Sequence, residues 1–404
     1  MLERRIHSHE QGRRGKPDRL DANIAHLLAA QALKIDQNAR CDIRVAGSYM
    51  SPDGKNSGSY PYVIVSGEVS SHVLPVLRGH IDGIVRDHYR SVHQGVDHGL
   101  VVDARFLKPQ SAALSKNDRA GDSGTAIAVA YAHTPHHLPL ERYLAVALVD
   151  LIDGIYSASG QVPDLLRRET GIAAIPGLRA DGKISVEVQY LGTVGTPTVT
   201  DVTLALNHEG SLSLDHLRRD VTALVTAYLR SEEKKLQGRL SGVDLTHGEI
   251  VINGAGPWQD QGGWATDDGS RDAKPQGDYF GSYGVCEDAP WGEDSSKPSG
   301  TGTLMARYIA NQVVAQGFAD FAEVRLVYKI GKDQPRLNIS THGTGHKSQD
   351  EIEAWVRDTI GDLSIAATRE RFRLQDPHLY ERIARNSDLF QDPELPWNVV
   401  LGAR

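Results

Sequence analysis

The stretch KISVEVQYLG, Lys183–Gly192, decides the fold class. Ile184, Val186, Val188 and Tyr190 alternate with Ser185, Glu187 and Gln189, the period-two pattern of a strand with one buried face. TPTVTDVTLALNHE, Thr196–Glu209, reads as its hairpin partner, and SLDHLRRDVTALVTAYLRS, Ser213–Ser231, as the helix that follows. Two other stretches repeat this plan. CDIRVAGS and YPYVIVSGEVSS are β-branched runs between turn signals, flanked by the helical RLDANIAHLLAAQALKI and VLPVLRGHIDGIVRDHYRSV. In the first of these helices Leu20, Ile24, Leu27 and Leu28 form one stripe. GTLMARYIANQVVAQG is a helix ending at Gly317, and AEVRLVYKIG and RLNISTHG are strands around Lys332-Asp333-Gln334-Pro335.

The expectation is an α+β fold of three similar units, each a mixed or antiparallel sheet with helices on one face. No residue-level identity links the units. The expected division is 1–125, with discontinuous contributions from later segments, then 126–250 and 251–404. Residues 103–125 read as a polar loop. Residues 253–302 read as a long Gly-, Asp- and Trp-rich active-site loop, ordered or ordered by substrate, because it holds Trp258, Trp264, Phe280 and Trp291.

The chain has 404 residues, enough for two or three compact units. Its formal charge of −8 argues against a general attraction to nucleic acid or anionic membrane, so any anion site must be a local basic cluster. Two cysteines, Cys41 and Cys286, fit a reducing compartment and no disulfide framework. MLERRIHSHE lacks an apolar signal core, and no apolar run approaches ~18 residues. A soluble cytoplasmic protein is the expectation.

In GKPDR, Gly15–Arg19, two cations flank Asp18. Lys16 and Arg19 can neutralise phosphate while the carboxylate holds Mg²⁺, a hard ion that prefers oxygen. The same residues also suit a plain helix start with an acid in the first turn. Asp181 and Lys183 precede the deciding strand, where Asp-Gly is equally a turn signal. Asp122 lies in AGDSG, and Glu68 interrupts the strand VIVSGEVSS, where it faces water or the ammonium group of an amino acid. HTPHH reads as a surface loop after a helix-like segment rather than a metal site, and SEEKKLQGR as a solvated helix end. GAGPWQDQGG lacks the final Lys-Ser/Thr of a Walker loop. LFQDPELPWNVVLGAR, with Trp397, has packing as its default role.

Taken in order, these segments resemble the S-adenosylmethionine synthetases (methionine adenosyltransferases). GKPDR resembles the family's Gly-His-Pro-Asp-Lys, VSGEVSS its Gly-Gly-Glu-Ile-Thr-Thr strand, and AGDSGTAIAVAYA its Gly-Asp-Gln-Gly loop and helix. LRADGKISVEVQY, INGAGPW, PQGDYFGSYG and WGEDSSKPSGTGTLMARYIANQVVAQG resemble later family segments, colinearly from about Glu10 to Gly343.

The resemblance implies a homodimer, or a dimer of dimers, with active sites at the interface. It implies attack of methionine sulfur on C5′ of ATP, release and hydrolysis of triphosphate, and help from Mg²⁺ and often K⁺. By position, Asp18 would be a metal ligand, with Glu10 near the reacting groups and the metal. Glu68 and Asp278 would hold the methionine amino group, with Gln110 nearby. Arg19, Asp122 and Asp181 would lie in the nucleotide pocket, and Trp258 would stack on adenine. Lys183 and Lys297 would contact phosphate, and Lys16 stands where the family has its catalytic His.

The departures concern the phosphate tail. Val285 and Cys286 fall near the family's Arg-Lys pair, Glu293 replaces a Lys, and Ser299 replaces an Asp. A displaced cation, Arg271 or Lys274, could compensate. Three readings stand open, in this order: a divergent S-adenosylmethionine synthetase, a paralogue using another nucleotide or leaving group, and a non-catalytic nucleotide-binding subunit.

Overall fold

The computed structural model describes residues 3–51, 59–110, 119–157, 160–240, 242–284, 286 and 288–402. Val285 lies outside the described residues. Among the described residues ten strands form three sheets. The deciding stretch is the core of β6 (Leu178–Leu191), whose Ile184, Val186, Val188 and Tyr190 are buried as the alternation requires. Strand β6 pairs antiparallel with β1 (Arg4–Gly12) on one side and β7 (Thr198–His208) on the other, and β8 (Glu249–Ile252) adds in parallel to β7. A second sheet orders β2 (Cys41–Met50), β3 (Tyr60–Val69) and β4 (Val101–Pro109), the last pair parallel. A third orders β10 (Arg336–Ser340), β9 (Phe321–Tyr328) and β5 (Gly124–Tyr131), all antiparallel. The α+β class and the three sheets agree with the expectation. Sheets do not follow contiguous segments: β1 joins β6 and β5 joins β9.

Helices α1 (Pro17–Ile35) and α2 (Leu74–Val92) pack with the second sheet, and α3 (Leu140–Tyr156) lies on β1 and β6. A short α4 (Asp164–Thr170) leans on α5 (Leu214–Leu236). After the one-turn α6 (Pro275–Asp278), α7 (Pro298–Ala315) covers β5 and β9. Helices α8 (Gln349–Thr359), α9 (Ile365–Phe372) and α10 (Pro377–Asn386) follow, with α10 against α1. Helix α1 is buried on nearly every side: Leu20, Ile24 and Leu28 are inaccessible, and Leu27 is half-buried. Each such side chain contributes roughly 1.5–3 kcal/mol.

Four local readings need correction. The segment 103–125 is not one polar loop, because β4 runs to Pro109 and β5 begins at Gly124, while 111–118 lie outside the described residues. The segment after AGDSG is strand β5, not helix: its alanines favour a helix locally but are buried between β9 and α7. HTPHH therefore follows a strand and forms a short 3₁₀ turn whose carbonyls accept from Arg307. SEEKKLQGR is not fully solvated, since Glu232 is buried and accepts from Tyr143 Oη at 2.7 Å. Within 253–302 the described residues are ordered, and Trp264, Phe280 and Trp291 are buried.

Candidate active site

The turn before α1 is fixed by close approach. A Cβ on Gly15 would stand 2.5 Å from the Ala180 Cβ, so only glycine fits where the turn meets β6. Lys16 is the extended N-cap residue, and Pro17 opens the helix with the preset φ that position favours. Asp18 falls in the first turn, where its charge suits the helix dipole. Lys16 Nζ lies 3.0 Å from Asp18 Oδ2, and Ser270 N donates to Asp18 Oδ1 at 3.3 Å. Burial works against the Lys16 ammonium, but Asp18, with Asp181 and Asp267 behind it, outweighs this and raises its pKa.

The rest of the cluster gathers around that turn. The Lys16 stem lies 3.2 Å from where a Cβ on Gly12 would be, and Gly12 faces Lys183 across the β1–β6 pair. Lys183 Nζ is 3.0 Å from Glu10 Oε2, and Lys274 Nζ is 3.3 Å from Glu10 Oε1. Burial would raise the Glu10 pKa, but hydrogen bonding and charge from Lys183, joined by Lys274, bring it below the usual range. Asp181 is buried, accepting from Gly182 N at 2.6 Å and Gly263 N at 2.7 Å. Burial lifts it to about 6, against the pull of the Gly263 amide and Lys16. Thus Glu10, Lys16, Asp18, Asp181, Lys183 and Lys274, drawn from four separate stretches, share one place.

Arg19 and Asp278 form a buried pair at 2.8 Å, with the Arg19 guanidinium 5.2 Å from the Trp291 ring centre. Burial raises the Asp278 pKa and Arg19 opposes it. Arg19 Nε and Nη1 have no hydrogen-bond partner among the described residues, so the guanidinium keeps donors to spare. Trp258 is half-buried, its indole N–H donating to Asp260 at 2.9 Å. Glu68 pairs with Lys108 at 3.4 Å, and the Gln110 backbone N–H donates to the Val69 carbonyl, next in sequence to Glu68. No contact joins Glu68 or Gln110 to Asp278 among the described residues.

Lys297 is in different company. It lies 3.4 Å from Asp122 and 3.7 Å from Asp42. Burial would lower its pKa; Glu293, Asp42 and Asp122 outweigh that and raise it. Glu293 is buried and hydrogen-bonded by Ser299, and burial pushes its carboxyl up to about 8 despite Arg271. The gap between Asp122, Asp288, Lys297 and Ser299 is only about 10 Å³, room for about one water. Arg271 is fully buried against Asp42, Asp272 and the Ile43 and Trp291 carbonyls. It is tied into the framework, whereas Lys274 stands in the cluster.

Sequence reasoning missed Asp21, one turn after Asp18 on the same helix. It is wholly buried, and burial followed by the Asp18 charge holds its pKa well above the usual range. The spacing Asp18–Asp21 was the available signal. It also missed Arg13, which clamps Asp153 at 2.7 Å and the carbonyls of Arg179 and Asp181.

A metal can be judged against these donors. Mg²⁺ keeps several waters and takes one or two carboxylates plus substrate phosphate. Asp18 fits that pattern by residue type and place, but its Oδ2 is held by Lys16 and its Oδ1 by the Ser270 amide, so a metal there would displace Lys16. Both Glu10 oxygens are held by ammonium groups, so Glu10 as a ligand would need to leave them. No group of three or more His, Cys, Asp or Glu side chains able to hold a metal occurs among the described residues. None of the helices there is long and apolar enough to cross a membrane.

Residues 261–399 match the family model described as the S-adenosylmethionine synthetase C-terminal domain. The chain is similar along nearly its whole length to the S-adenosylmethionine synthase of Lacticaseibacillus casei (strain BL23), 28% identical with 98% of this chain and 96% of that protein aligned. It is 28% identical to the enzyme of that name from Tropheryma whipplei (strain TW08/27), over 92% and 91% of the two chains. With that from Corynebacterium jeikeium (strain K411) it is 29% identical over 76% and 71%.

Proposed function

We propose, for a chain that belongs to the S-adenosylmethionine synthetase family as a divergent member, the synthesis of S-adenosylmethionine from ATP and L-methionine. The observation that carries this reading is the convergence of Lys16, Asp18, Asp181, Lys183 and Lys274 at the start of α1. In the reaction a methionine sulfur lone pair attacks C5′, the C5′–O5′ bond breaks, and the electron pair leaves on triphosphate. Hydrolysis then cleaves the triphosphate to pyrophosphate and phosphate. A neutral thioether is a weak nucleophile, so the rate rests on in-line positioning and on stabilising the departing polyanion.

Lys16, Lys183 and Lys274 would meet that polyanion, and Glu10 would hold the last two in place beforehand. Asp18 would hold Mg²⁺, which supplies further charge neutralisation on the phosphates when bound. Arg19 and Asp181 would sit at the nucleotide, with Trp258 stacked on the base. Asp278, already on Arg19, and Glu68 with Gln110 would serve the amino acid, the latter two from across an interface between two copies. Lys297 and Asp122 would lie at the far end of the tail.

One observation favours a second reading, in which the leaving group is shorter or less charged than triphosphate. Glu293 and Asp42 surround Lys297 where the resemblance expects added cations.

The test is mass spectrometry of products from the purified chain with methionine, Mg²⁺, K⁺ and, separately, ATP, ADP, GTP, CTP or UTP. S-adenosylmethionine from ATP is the expected result. A sulfonium product from ADP but not from ATP would establish the second reading, one only from GTP, CTP or UTP would replace ATP as the nucleotide, and no product from any would refute both readings.

A further inference from the structure

Beside the GRRGKPDR turn lies a cavity of about 640 Å³ whose lining does not include Lys16, Asp18, Asp181 or Lys183. It is walled by the turn itself (Arg14, Gly15), the end of α2 (His88, Ser91, Val92), the end of α3 (Asp153, Tyr156) and α10 (Ala384, Arg385). Its size falls within the range of small-molecule sites, and its make-up follows their pattern of apolar walls with a few convergent polar groups. The apolar part is Val92, Tyr156, Ala180 and Ala384.

The polar part is cationic. Asp153, the only carboxylate lining it among the described residues, is already taken by Arg13 Nε at 2.7 Å and the Arg14 amide at 3.2 Å. The Arg14 side chain reaches Asp150 and Asp153 only at 3.8 and 3.9 Å, and its Nε has no hydrogen-bond partner among the described residues. Arg385 uses Nε on the Glu381 carbonyl, and its two terminal amino groups make no hydrogen bond among the described residues. His88 Nε2 is a buried ring nitrogen without a partner there. Burial, with Arg14 adding to it, takes the His88 pKa down to about 4, so at neutral pH the ring brings a hydrogen bond without a charge.

We infer that this cavity is a second small-molecule site, taking an organic anion whose acidic group meets Arg14 and Arg385 and whose flat apolar body lies against Tyr156 and Val92. Gly15 and Ala180 line the cavity, each one residue in sequence from a member of the proposed cluster, Lys16 and Asp181. It is thus separate from the proposed nucleotide cluster but shares a wall with it.

The experiment is calorimetric titration of the full chain with 1-naphthoate, a planar aromatic monoanion, and with its neutral counterpart 1-naphthylmethanol. One molecule of naphthoate should bind per chain, and the neutral compound roughly tenfold more weakly, the cost of losing a charge-assisted hydrogen bond. Arg385→Gln, at an exposed position, should weaken naphthoate by a similar factor. Ser91→Trp, also at an exposed position, fills the cavity and should abolish binding, with circular dichroism confirming that both variants fold. Lys183→Met should leave naphthoate binding unchanged, which separates this site from the nucleotide cluster. Absence of binding, or binding that survives Ser91→Trp or ignores Arg385→Gln, overturns the inference.

Discussion

Helices α1 and α7 begin with the same device. Lys16-Pro17-Asp18 and Lys297-Pro298-Ser299 each put an extended lysine at the N-cap and proline at the first helical position, with no side-chain cap. Each leaves helix amides and a lysine ready for an anion. Their surroundings differ. At α1 Lys16 also has carboxylates near it, Asp18, Asp181 and Asp267, but Lys183 and Lys274, linked through Glu10, add two further cations. At α7 the neighbours are Asp42, Asp122 and Glu293, and the residue matching Asp18 is Ser299, whose hydroxyl turns to Glu293. A local motif therefore does not fix an anion site. The charges brought in by distant segments differ between the two, which is why the proposed tail site is placed at α1.

The largest effect is expected where that contrast is sharpest. Asp18→Asn should lower turnover by at least about a hundredfold, the scale of losing a key electrostatic group, with an unchanged circular dichroism spectrum. Near-normal product formation would remove the metal role. Lys183→Met and Lys274→Met should each cost roughly ten- to a hundredfold in kcat/KM for the nucleotide. Lys297→Met should cost less than about fivefold, because three carboxylates surround this one lysine, whereas Lys183 and Lys274 share the single carboxylate of Glu10. Equal losses at Lys183 and Lys297 would break the comparison.

How far the sequence showed this division can be seen in particular residues. Strand β6 and helix α1 were legible because their burial follows period two and period 3.6. Strand β1 was not, since RRIHSHEQG is largely polar and its edge position leaves Ile6 exposed. Strand β5 was hidden by its alanines, whose partners are nearly 200 residues away on β9. In the site, the residue types of GKPDR and Asp181-Gly-Lys183 suggested phosphate chemistry. The Lys274–Glu10 pair and the locking of Arg271 were beyond reach, being set by tertiary packing across 264 and 229 positions.

Two smaller effects refine the contrast. Trp258→Ala should weaken nucleotide binding by several-fold, the worth of one aromatic contact, read by equilibrium titration. Glu293 bears on pH. Its pKa rises from 4.5 unfolded to about 8 folded, so the native state holds the proton more tightly. Stability should therefore fall as pH rises from about 4.5 to about 8. Glu293→Gln should lessen that fall, measured by urea unfolding at pH 5 and pH 8. An identical slope in the two proteins would mean that Glu293 is not protonated in the fold.

The most direct measurement is calorimetric titration of inorganic tripolyphosphate, with Mg²⁺, into the unmodified chain, Lys183→Met and Lys297→Met. A tail held at α1 predicts a loss of affinity of roughly tenfold or more for Lys183→Met, and less than about threefold for Lys297→Met. The opposite order would place the polyanion at α7 and contradict the account.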